Sequence, residues 1–178
     1  MQKNPHQRVG VFVDVQNMYY SAKNLYNAKV NFGKILEDGT AGRQLIRAIA
    51  YVVKAEEPLE QSFFDALEKA GYEVKVKEIQ IFPGGVKKAD WDVGVAIDMI
   101  RLSPKIDVMV LVSGEGDYLP AIEFLRNQGH IVEVMAFGPS TSHKLSSGGA
   151  DEFIDLDKEH QKYTLSAKPE KRPRHFRR

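Results

Sequence analysis

The sequence predicts an α/β protein, a three-layer α/β/α sandwich with a mostly parallel central sheet. Short apolar runs rich in valine, such as residues 9–13 and 108–112, have the composition of buried parallel strands. Stretches with helical periodicity, such as 59–70, lie between these runs and place apolar side chains on one side. Strands that alternate with helices in this way predict parallel pairing, with helices on both faces of the sheet.

The elements follow from these patterns in chain order. Residues 31–38 have no clear pattern, and 39–42 predict a turn that leads into a helix. Asp90 is a candidate N-cap, and the alternating pattern of 72–82 predicts a half-exposed or edge strand. The predicted strands are 9–13, 47–54, 72–82, 108–112, 131–137 and 153–156, and the predicted helices are 18–26, 59–70, 90–102, 118–128 and 142–147.

Length and composition indicate one soluble domain. A chain of 178 residues with 43% hydrophobic residues is long enough for one core. We expect a flexible N-terminus at 1–7, the domain at 8–164 and a basic disordered tail at 165–178. No apolar run has the roughly 18–20 residues that span a bilayer, and residues 1–8 lack the apolar core of a signal peptide. The absence of cysteine excludes disulfides and thiolate metal sites, so we expect a cytoplasmic protein without membrane association.

Charge is distributed unevenly, although the net charge is +1. Residues 168–178 carry six Lys or Arg and one acid, which leaves 19 bases and 23 acids in the other 167 residues. A basic tail on an acidic body is typical of segments that contact nucleic-acid phosphates. It is equally typical of a solvated chain end.

Acidic side chains follow the ends of predicted strands or begin a helix. Asp14 ends the first strand and Asn17 follows it, Asp92 lies in the first turn of a helix, and 113–117 (SGEGD) follow the most apolar strand. Such positions converge on one crevice in an open parallel sheet. Carboxylates gathered there favour hard divalent cations with oxygen ligands. The alternative for each acid is a helix cap, which needs no metal.

Asp98 stands apart from Asp92 in this scheme. Six residues along an α-helix correspond to about 240° of rotation, so the two side chains do not share a face. We therefore expect Asp98 to support the surroundings of Asp92, to face solvent, or to pair with Arg101 three residues later.

Together these motifs resemble the NYN family, in particular its LabA-like branch within the PIN-like nuclease fold, a Rossmann-like sandwich. The resemblance covers roughly residues 8–157. The matching segments are Phe12-Val-Asp14-x-x-Asn17, Lys88-x-x-x-Asp92-Val-x-x-Ala96-x-Asp98, Ser113-Gly-x-Gly-Asp117-Tyr-x-Pro120, Gly129-His-Ile-Val132 and residues 150–156 (ADEFIDL).

The resemblance implies a ribonuclease site that depends on Mg²⁺ or Mn²⁺. The family's catalytic acids carry over to Asp14, Asp92 and Asp117, and its metal ligands also include the position of Glu115, where the family pattern has Asp. Asn17 and Ser113 carry over as neighbours of the site. The additional methylene of Glu115 is the one departure from the pattern, and it bears on metal geometry and activity.

Candidate substrate contacts lie near these acids in the sequence. Lys87, Lys88 and Arg43 could neutralise the backbone of an RNA partner, or could be solvated surface residues. Tyr19, Tyr20 and Trp91 could stack on unpaired bases, which predicts single-stranded RNA, or could pack against the fold.

Three functions remain open from the sequence. The first is a metal-dependent ribonuclease, and the second is a catalytically weak or inactive module that binds RNA or a protein on the same fold. The third, a phosphatase, is disfavoured because that class uses Asp-x-Asp after the first strand, whereas this chain has Asp14-Val-Gln16. A homodimer is a further possibility if the 72–82 strand is an uncovered edge.

Overall fold

The fold alternates strands and helices along the chain. The computed structural model describes residues 3–54, 61–81 and 87–165, with the backbone alone at 80, 81, 87 and 88. The strands are β1 (Arg8–Asp14), β2 (Lys29–Val30), β3 (Gln44–Lys54), β4 (Glu73–Glu78), β5 (Gln80–Ile81), β6 (Lys87–Lys88), β7 (Val108–Val112), β8 (Ile131–Ala136), β9 (Glu152–Asp155) and β10 (Thr164–Leu165). The helices are α1 (Val15–Tyr26), α2 (Phe32–Thr40), α3 (Gln61–Ala70), α4 (Asp92–Leu102), α5 (Leu119–Asn127) and α6 (His160–Tyr163).

The central sheet has six strands in the order β4-β3-β1-β7-β8-β9, and all of its pairings are parallel. The chain moves from β1 outward through β3 and β4, then returns to β7 and continues outward through β8 and β9. The direction of winding therefore reverses between β1 and β7. In an open α/β sheet, the crevice beyond the carboxyl ends of the strands at such a reversal is where ligands bind.

Two hydrophobic cores, one on each face of the sheet, lie between the three layers of the fold. Val11 and Val13 of β1 face one core, which also contains apolar residues of α1, α2 and α3. Phe12 faces the opposite core, with apolar residues of α4 and α5. The alternation of side chains along a strand sends neighbours to opposite faces. The predicted α/β/α class with a parallel sheet is confirmed.

Several element boundaries differ from the sequence prediction. Residues 31–38 belong mostly to α2, whose cap is Asn31: its side chain accepts a hydrogen bond from the Lys34 backbone N–H at 3.2 Å. The turn after α2 leads into β3 and not into a helix, because Ala41 and Gly42 have φ of 48° and 72°, which ends the helix. Asp90 is not the cap of α4, since Trp91 holds that position without a side-chain hydrogen bond.

The predicted strand at 72–82 is divided in two. β4 is an edge of the six-stranded sheet, as its alternating pattern indicates, whereas β5 pairs with β6 in a separate antiparallel ribbon. The basic tail from 166 onward lies outside the described residues, so its predicted role remains a prediction. Among the described residues, no helix has both the length and the apolar character that a membrane crossing requires.

A buried ion pair joins the turn between α2 and β3 to strand β8. The Arg43 guanidinium donates to both carboxylate oxygens of Glu133, at 2.7 and 2.8 Å, and both side chains are only 1% exposed. Arg43 also donates to the backbone carbonyls of Gly39 and Thr40. Its donors are thus committed inside the fold, where a lone charge would be costly.

We predict that Glu133→Gln destabilises the fold by about 3 kcal/mol, because it leaves the Arg43 charge buried without a counter-charge. The matched control is Glu73→Gln, which removes the carboxylate that pairs with Arg47 on the exposed surface and should cost no more than about 1 kcal/mol. Urea unfolding followed by circular dichroism measures both. Equal losses for the two variants would contradict a structural role for the buried pair.

Candidate metal and catalytic site

Asp14 is the last residue of β1 and the cap of α1. Its Oδ1 accepts a hydrogen bond from the Asn17 backbone N–H at 3.0 Å, so it satisfies one of the free donors in the first turn of the helix. The strand delivers this carboxylate to the crevice, where it is 6% exposed. The Asp14 side chain therefore caps the helix through Oδ1, while its Oδ2 faces the Tyr118 hydroxyl in the crevice.

Asp92 begins α4 and reaches the same crevice. Trp91, directly before it, is fixed by a hydrogen bond from its indole N–H to the Val52 carbonyl of β3 at 2.9 Å. Gly94 makes room for this indole, because a Cβ there would lie 2.6 Å from Trp91 Cε3. The anchored Trp91 thus sets the point at which α4 starts, and with it the position of the Asp92 carboxylate.

The loop after β7 brings in Glu115 through Asn17. The Asn17 side-chain amide donates to Glu115 Oε1 at 3.1 Å, and its carbonyl oxygen accepts from the Gly114 backbone N–H at 2.9 Å. Buried Ser113 accepts from the Glu115 backbone N–H at 3.2 Å. These bonds hold the loop against the start of α1 and direct the Glu115 side chain towards Asp14.

The glycines of this loop serve packing. A Cβ at Gly114 would lie 3.0–3.2 Å from atoms of Ser140 and Thr141, and one at Gly116 would lie 2.8 Å from the Ser142 hydroxyl oxygen. The loop therefore lies tightly against residues 140–142. Residues 140–142 follow the C-terminal end of β8, so no local sequence pattern predicts this contact.

The three carboxylates form one cluster. Asp14, Asp92 and Glu115 each offer an oxygen within 4.8 Å of the oxygens of the other two. Tyr118, which is 1% exposed, places its hydroxyl 3.2 Å from Asp14 Oδ2 and 3.1 Å from Asp92 Oδ1. A phenol has one proton, so it can donate to only one of two ionised carboxylates at a time.

Burial and mutual repulsion make these acids hard to ionise. Burial, together with the negative charges of Glu115 and Asp92, raises the pKa of Asp14 from 3.8 to about 6, against the opposing effect of the hydrogen bonds from Asn17 and Tyr118. Burial also raises the pKa of Asp92 and of Glu115. Among the described residues, no Lys or Arg forms an ion pair with any of the three, so the cluster has excess negative charge.

A cleft of about 390 Å³ opens above the cluster. One wall is a face of α1, the other is formed by Val53 and residues 89–92, and Asp14 and Glu115 form the floor. Asp90 adds a fourth carboxylate to the lining, and no Lys or Arg is among the described lining residues. The cleft therefore presents an acidic floor between two walls.

Two further predicted acids lie outside the cluster. Asp117 is exposed, because the single helical turn Gly116–Tyr118 directs it away from the group of three. Burial is the main cause of the raised pKa of Glu115, and the negative charge of Asp117 also raises it. Asp98 accepts hydrogen bonds from Tyr51 at 2.9 Å and from Lys75 at 2.5 Å, so its charge is paired away from the cluster.

Asp98 nevertheless connects to the site through aromatic contacts. The Tyr51 ring that it anchors lies edge-on to Trp91, with ring centroids 5.3 Å apart, and Trp91 precedes Asp92. Asp98 therefore supports the surroundings of Asp92 indirectly, which is one of the roles expected from its position on a different face of the helix.

The predicted substrate contacts are not gathered at the cleft. Arg43 lies at the opposite end of the sheet, bonded to Glu133, so we exclude it from the substrate-binding residues. The physical reason is its buried partner, 90 residues away in sequence. Lys87 and Lys88 form β6, whose backbone pairs with β5, but their side chains lie outside the described part of the structure.

Two residues near the site have no counterpart among the predicted site residues. Tyr118 bridges Asp14 and Asp92, and Lys77 of β4 donates to the Asp90 carbonyl at 2.9 Å. The positive charge of Lys77 opposes the rise in pKa that burial causes in Asp92. The position of Tyr118 beside Asp117 is visible in the sequence, but its contact with two other elements depends on the tertiary fold.

Comparison with known proteins gives a consistent family. The model of the NYN domain matches residues 8–157. The chain is 29% identical over 166 residues to the low amplitude and bright protein LabA of Synechococcus elongatus, with 84% of each chain covered. It is also similar to a crystal structure of a protein of unknown function from Vibrio parahaemolyticus, at 30% identity and a TM-score of 0.82, over 93% of this chain and 100% of the other.

We predict that Asp14→Asn stabilises the metal-free fold at pH 8. The rise in the pKa of Asp14 to about 6 corresponds to a cost of about 3 kcal/mol for its ionised form, and an amide avoids that cost while keeping the cap of α1. Since the folded state binds this proton more tightly than the unfolded state, the wild-type protein gains the same stability as pH falls through 6 towards 4. Urea unfolding in EDTA should show the advantage at pH 8 and its loss near pH 4.

Added Mn²⁺ provides the control for Asp14→Asn. It should raise the midpoint of thermal unfolding of the wild-type protein, because an ion that binds only the folded state stabilises it. The variant should show little rise. A destabilised variant at pH 8 in EDTA would contradict the assigned cost of the Asp14 charge.

We also predict that Tyr118→Phe lowers the affinity for Mn²⁺ about tenfold, because the change removes only the hydroxyl that orients Asp14 and Asp92. Tyr163→Phe is the matched control: its hydroxyl donates to Asp38 at 2.8 Å, outside the cluster. Isothermal titration calorimetry measures both affinities. An unchanged affinity in Tyr118→Phe would exclude this orienting role.

Proposed function

The chain belongs to the NYN family, and on that premise we propose that it is a metal-dependent ribonuclease that hydrolyses phosphodiester bonds of RNA. The observation that supports this most strongly is the cluster of Asp14, Asp92 and Glu115, whose oxygens lie within 4.8 Å of one another at the reversal point of the sheet. Family membership supports an RNA-related function, and the cluster supports metal-dependent chemistry.

The residues of the cluster fit a hard divalent cation. All three offer carboxylate oxygens, which Mg²⁺ and Mn²⁺ prefer. The shared Tyr118 proton and the absence of a paired Lys or Arg among the described residues leave negative charge that a cation would offset. Asp14, Asp92 and Glu115 would hold the ion, and Asp117 is near enough to affect the charge of Glu115.

The residues of this chain have distinct roles in the proposed reaction. Asn17 donates its side-chain amide to Glu115 and its backbone N–H to Asp14, and Tyr118 orients the Asp14 and Asp92 carboxylates. A bound Mg²⁺ or Mn²⁺ would lower the pKa of a coordinated water and offset charge on the scissile phosphate. In-line attack of water on phosphorus would leave a 5′-phosphate on one product and a 3′-hydroxyl on the other.

The acidic cleft sets a condition on the RNA partner. Four carboxylates and no described Lys or Arg line it, so the metal-free cleft would repel a phosphate backbone. Lys77 beside Asp90 is a cation close to the rim, and the basic residues of 168–178 are candidates for additional contacts. We expect binding of RNA to weaken in EDTA and with added salt.

Two observations favour a second function, binding of RNA without cleavage. Asp117 is exposed and outside the group of three, and Glu115 replaces the Asp of the family pattern. A site with one acid displaced could bind a metal and RNA yet turn over slowly. Binding without products in the assay below would support this alternative.

We predict that the protein cleaves labelled single-stranded RNA with Mn²⁺, and that Asp92→Asn and Glu115→Gln reduce cleavage to the level of an EDTA control. Glu123→Gln is the matched control, since Glu123 is exposed on α5 outside the cluster. Denaturing gels measure the rate, and end analysis of the products should find 5′-phosphates. Products with 2′,3′-cyclic phosphates, or cleavage that survives both variants, would identify a contaminating enzyme and overturn the assignment.

A further inference from the structure

We propose that the α1 wall of the cleft, formed by Gln16, Tyr20 and Asn24, binds an unpaired nucleobase of the RNA whose phosphate lies over the carboxylate floor. This inference rests on the proposed function and adds a recognition site to it. The three side chains line the cleft together with Asn17, whose side-chain amide donates to Glu115 of the carboxylate cluster. They form a continuous strip because residues four apart lie on one face of a helix.

The side chains of this strip have polar groups without partners. No hydrogen bond joins the side chain of Gln16, Tyr20 or Asn24 to any other described residue, whereas Asn17, one residue after Gln16, has both its amide nitrogen and its amide oxygen hydrogen-bonded. Tyr20 is 50% exposed, and its only ring contact among the described residues is edge-on with Tyr19, at 5.3 Å between centroids. One face of the Tyr20 ring is therefore available to the cleft.

A nucleobase matches this chemistry better than a phosphate does. The strip carries no charge, so it offers little to a phosphate, but a tyrosine ring can stack on a base. Amide side chains carry both a donor and acceptors, and can bond the polar edges of a base. A base inside a duplex would be stacked and paired, so the strip favours a single strand.

Trp91 on the opposite wall is less suited to stacking. Its N–H donates to Val52, its ring packs on Gly94, and Lys77 Nζ lies 5.5 Å from its ring centroid. The indole is thus held by the fold, with a cation near it. Of the aromatic residues that line the cleft, Tyr20 is the one with a free ring face among the described residues.

The chain offers a matched control in Tyr19. It has the same chemistry as Tyr20, is similarly exposed at 42%, and is adjacent in sequence, but it does not line the cleft. Both rings are on the surface of α1, so replacement by alanine should leave the fold intact. The comparison of Tyr20→Ala with Tyr19→Ala therefore separates the cleft from general surface aromaticity.

The experiment measures single-turnover cleavage of a labelled oligouridylate with Mn²⁺ as the protein concentration is varied. Tyr20→Ala should raise the half-saturating concentration about tenfold, with little change in the maximal rate, and Tyr19→Ala should change neither. Calorimetry should show unchanged Mn²⁺ affinity in both variants. An oligonucleotide with abasic positions should bind the wild-type protein as weakly as the intact one binds Tyr20→Ala.

The outcomes distinguish this subsite from the proposed function. If the wild-type protein acts on RNA and Tyr20→Ala behaves like Tyr19→Ala, the subsite is overturned and the ribonuclease stands. If abasic and intact RNA bind the wild-type protein equally, recognition is through the backbone and the subsite is again overturned. If the wild-type protein binds RNA without cleaving it, fluorescence anisotropy on the same variants gives the same test. If it neither cleaves nor binds RNA, both proposals fail.

Discussion

The hydrogen bonds of Asn17 determine the geometry of the whole site. Its backbone N–H bonds Asp14, its side-chain oxygen accepts from Gly114, and its side-chain nitrogen donates to Glu115. A single residue in the first turn of α1 thereby joins the end of β1 to the loop after β7. Bonding to both the Gly114 backbone N–H and the Glu115 carboxylate requires one acceptor and one donor on a short side chain, which an amide provides and an ionised carboxylate does not. Aspartate at 17 would also place another negative charge against Glu115.

The longer side chain of Glu115 follows from this arrangement. The Ser113–Glu115 loop is held by Asn17 and packs against residues 140–142, so its backbone has little freedom to move towards Asp14. The additional methylene lets the carboxylate reach both Asn17 and the cluster from this fixed position. The next acid, Asp117, is turned outward by the short helical turn that precedes α5. The departure from the family pattern therefore places Glu115 inside the group of three.

Local patterns in the sequence are sufficient to predict the sheet and part of the site. The apolar runs predict buried parallel strands, and carboxylates at the end of such a strand or in the first turn of a helix point to the crevice, which places Asp14 and Asp92 near each other. Helix rotation alone separates Asp98 from Asp92. Which acid of the 113–117 loop turns inward depends on backbone dihedral angles and on packing against residues 140–142. Those contacts join segments far apart in sequence, so no local pattern encodes them.

Arg43 shows the same limit for positive charges. A lone arginine in a glycine-containing turn is equally compatible with a phosphate contact and with solvent, and the deciding factor is Glu133, 90 residues later. Glu133 itself interrupts an apolar strand, which is the one local sign that a buried cation is required. The sequence shows both members of this pair, but only the tertiary packing of the end of α2 over β7 and β8, where Gly39 lies against Val110 and Met135, brings Arg43 to Glu133.

The energetic cost of Asp14 links the fold to its function. A single domain has a net stability of about 5–15 kcal/mol, so a cost of about 3 kcal/mol for one buried carboxylate is a large fraction of it. The hydrogen bonds from Asn17 and Tyr118 lower this cost without removing it. A neutral side chain would cap α1 as well and pack as well, so neither folding nor capping explains a charge at this position. A cation bound at the cluster would offset this cost, so the buried carboxylate is consistent with the proposed metal site.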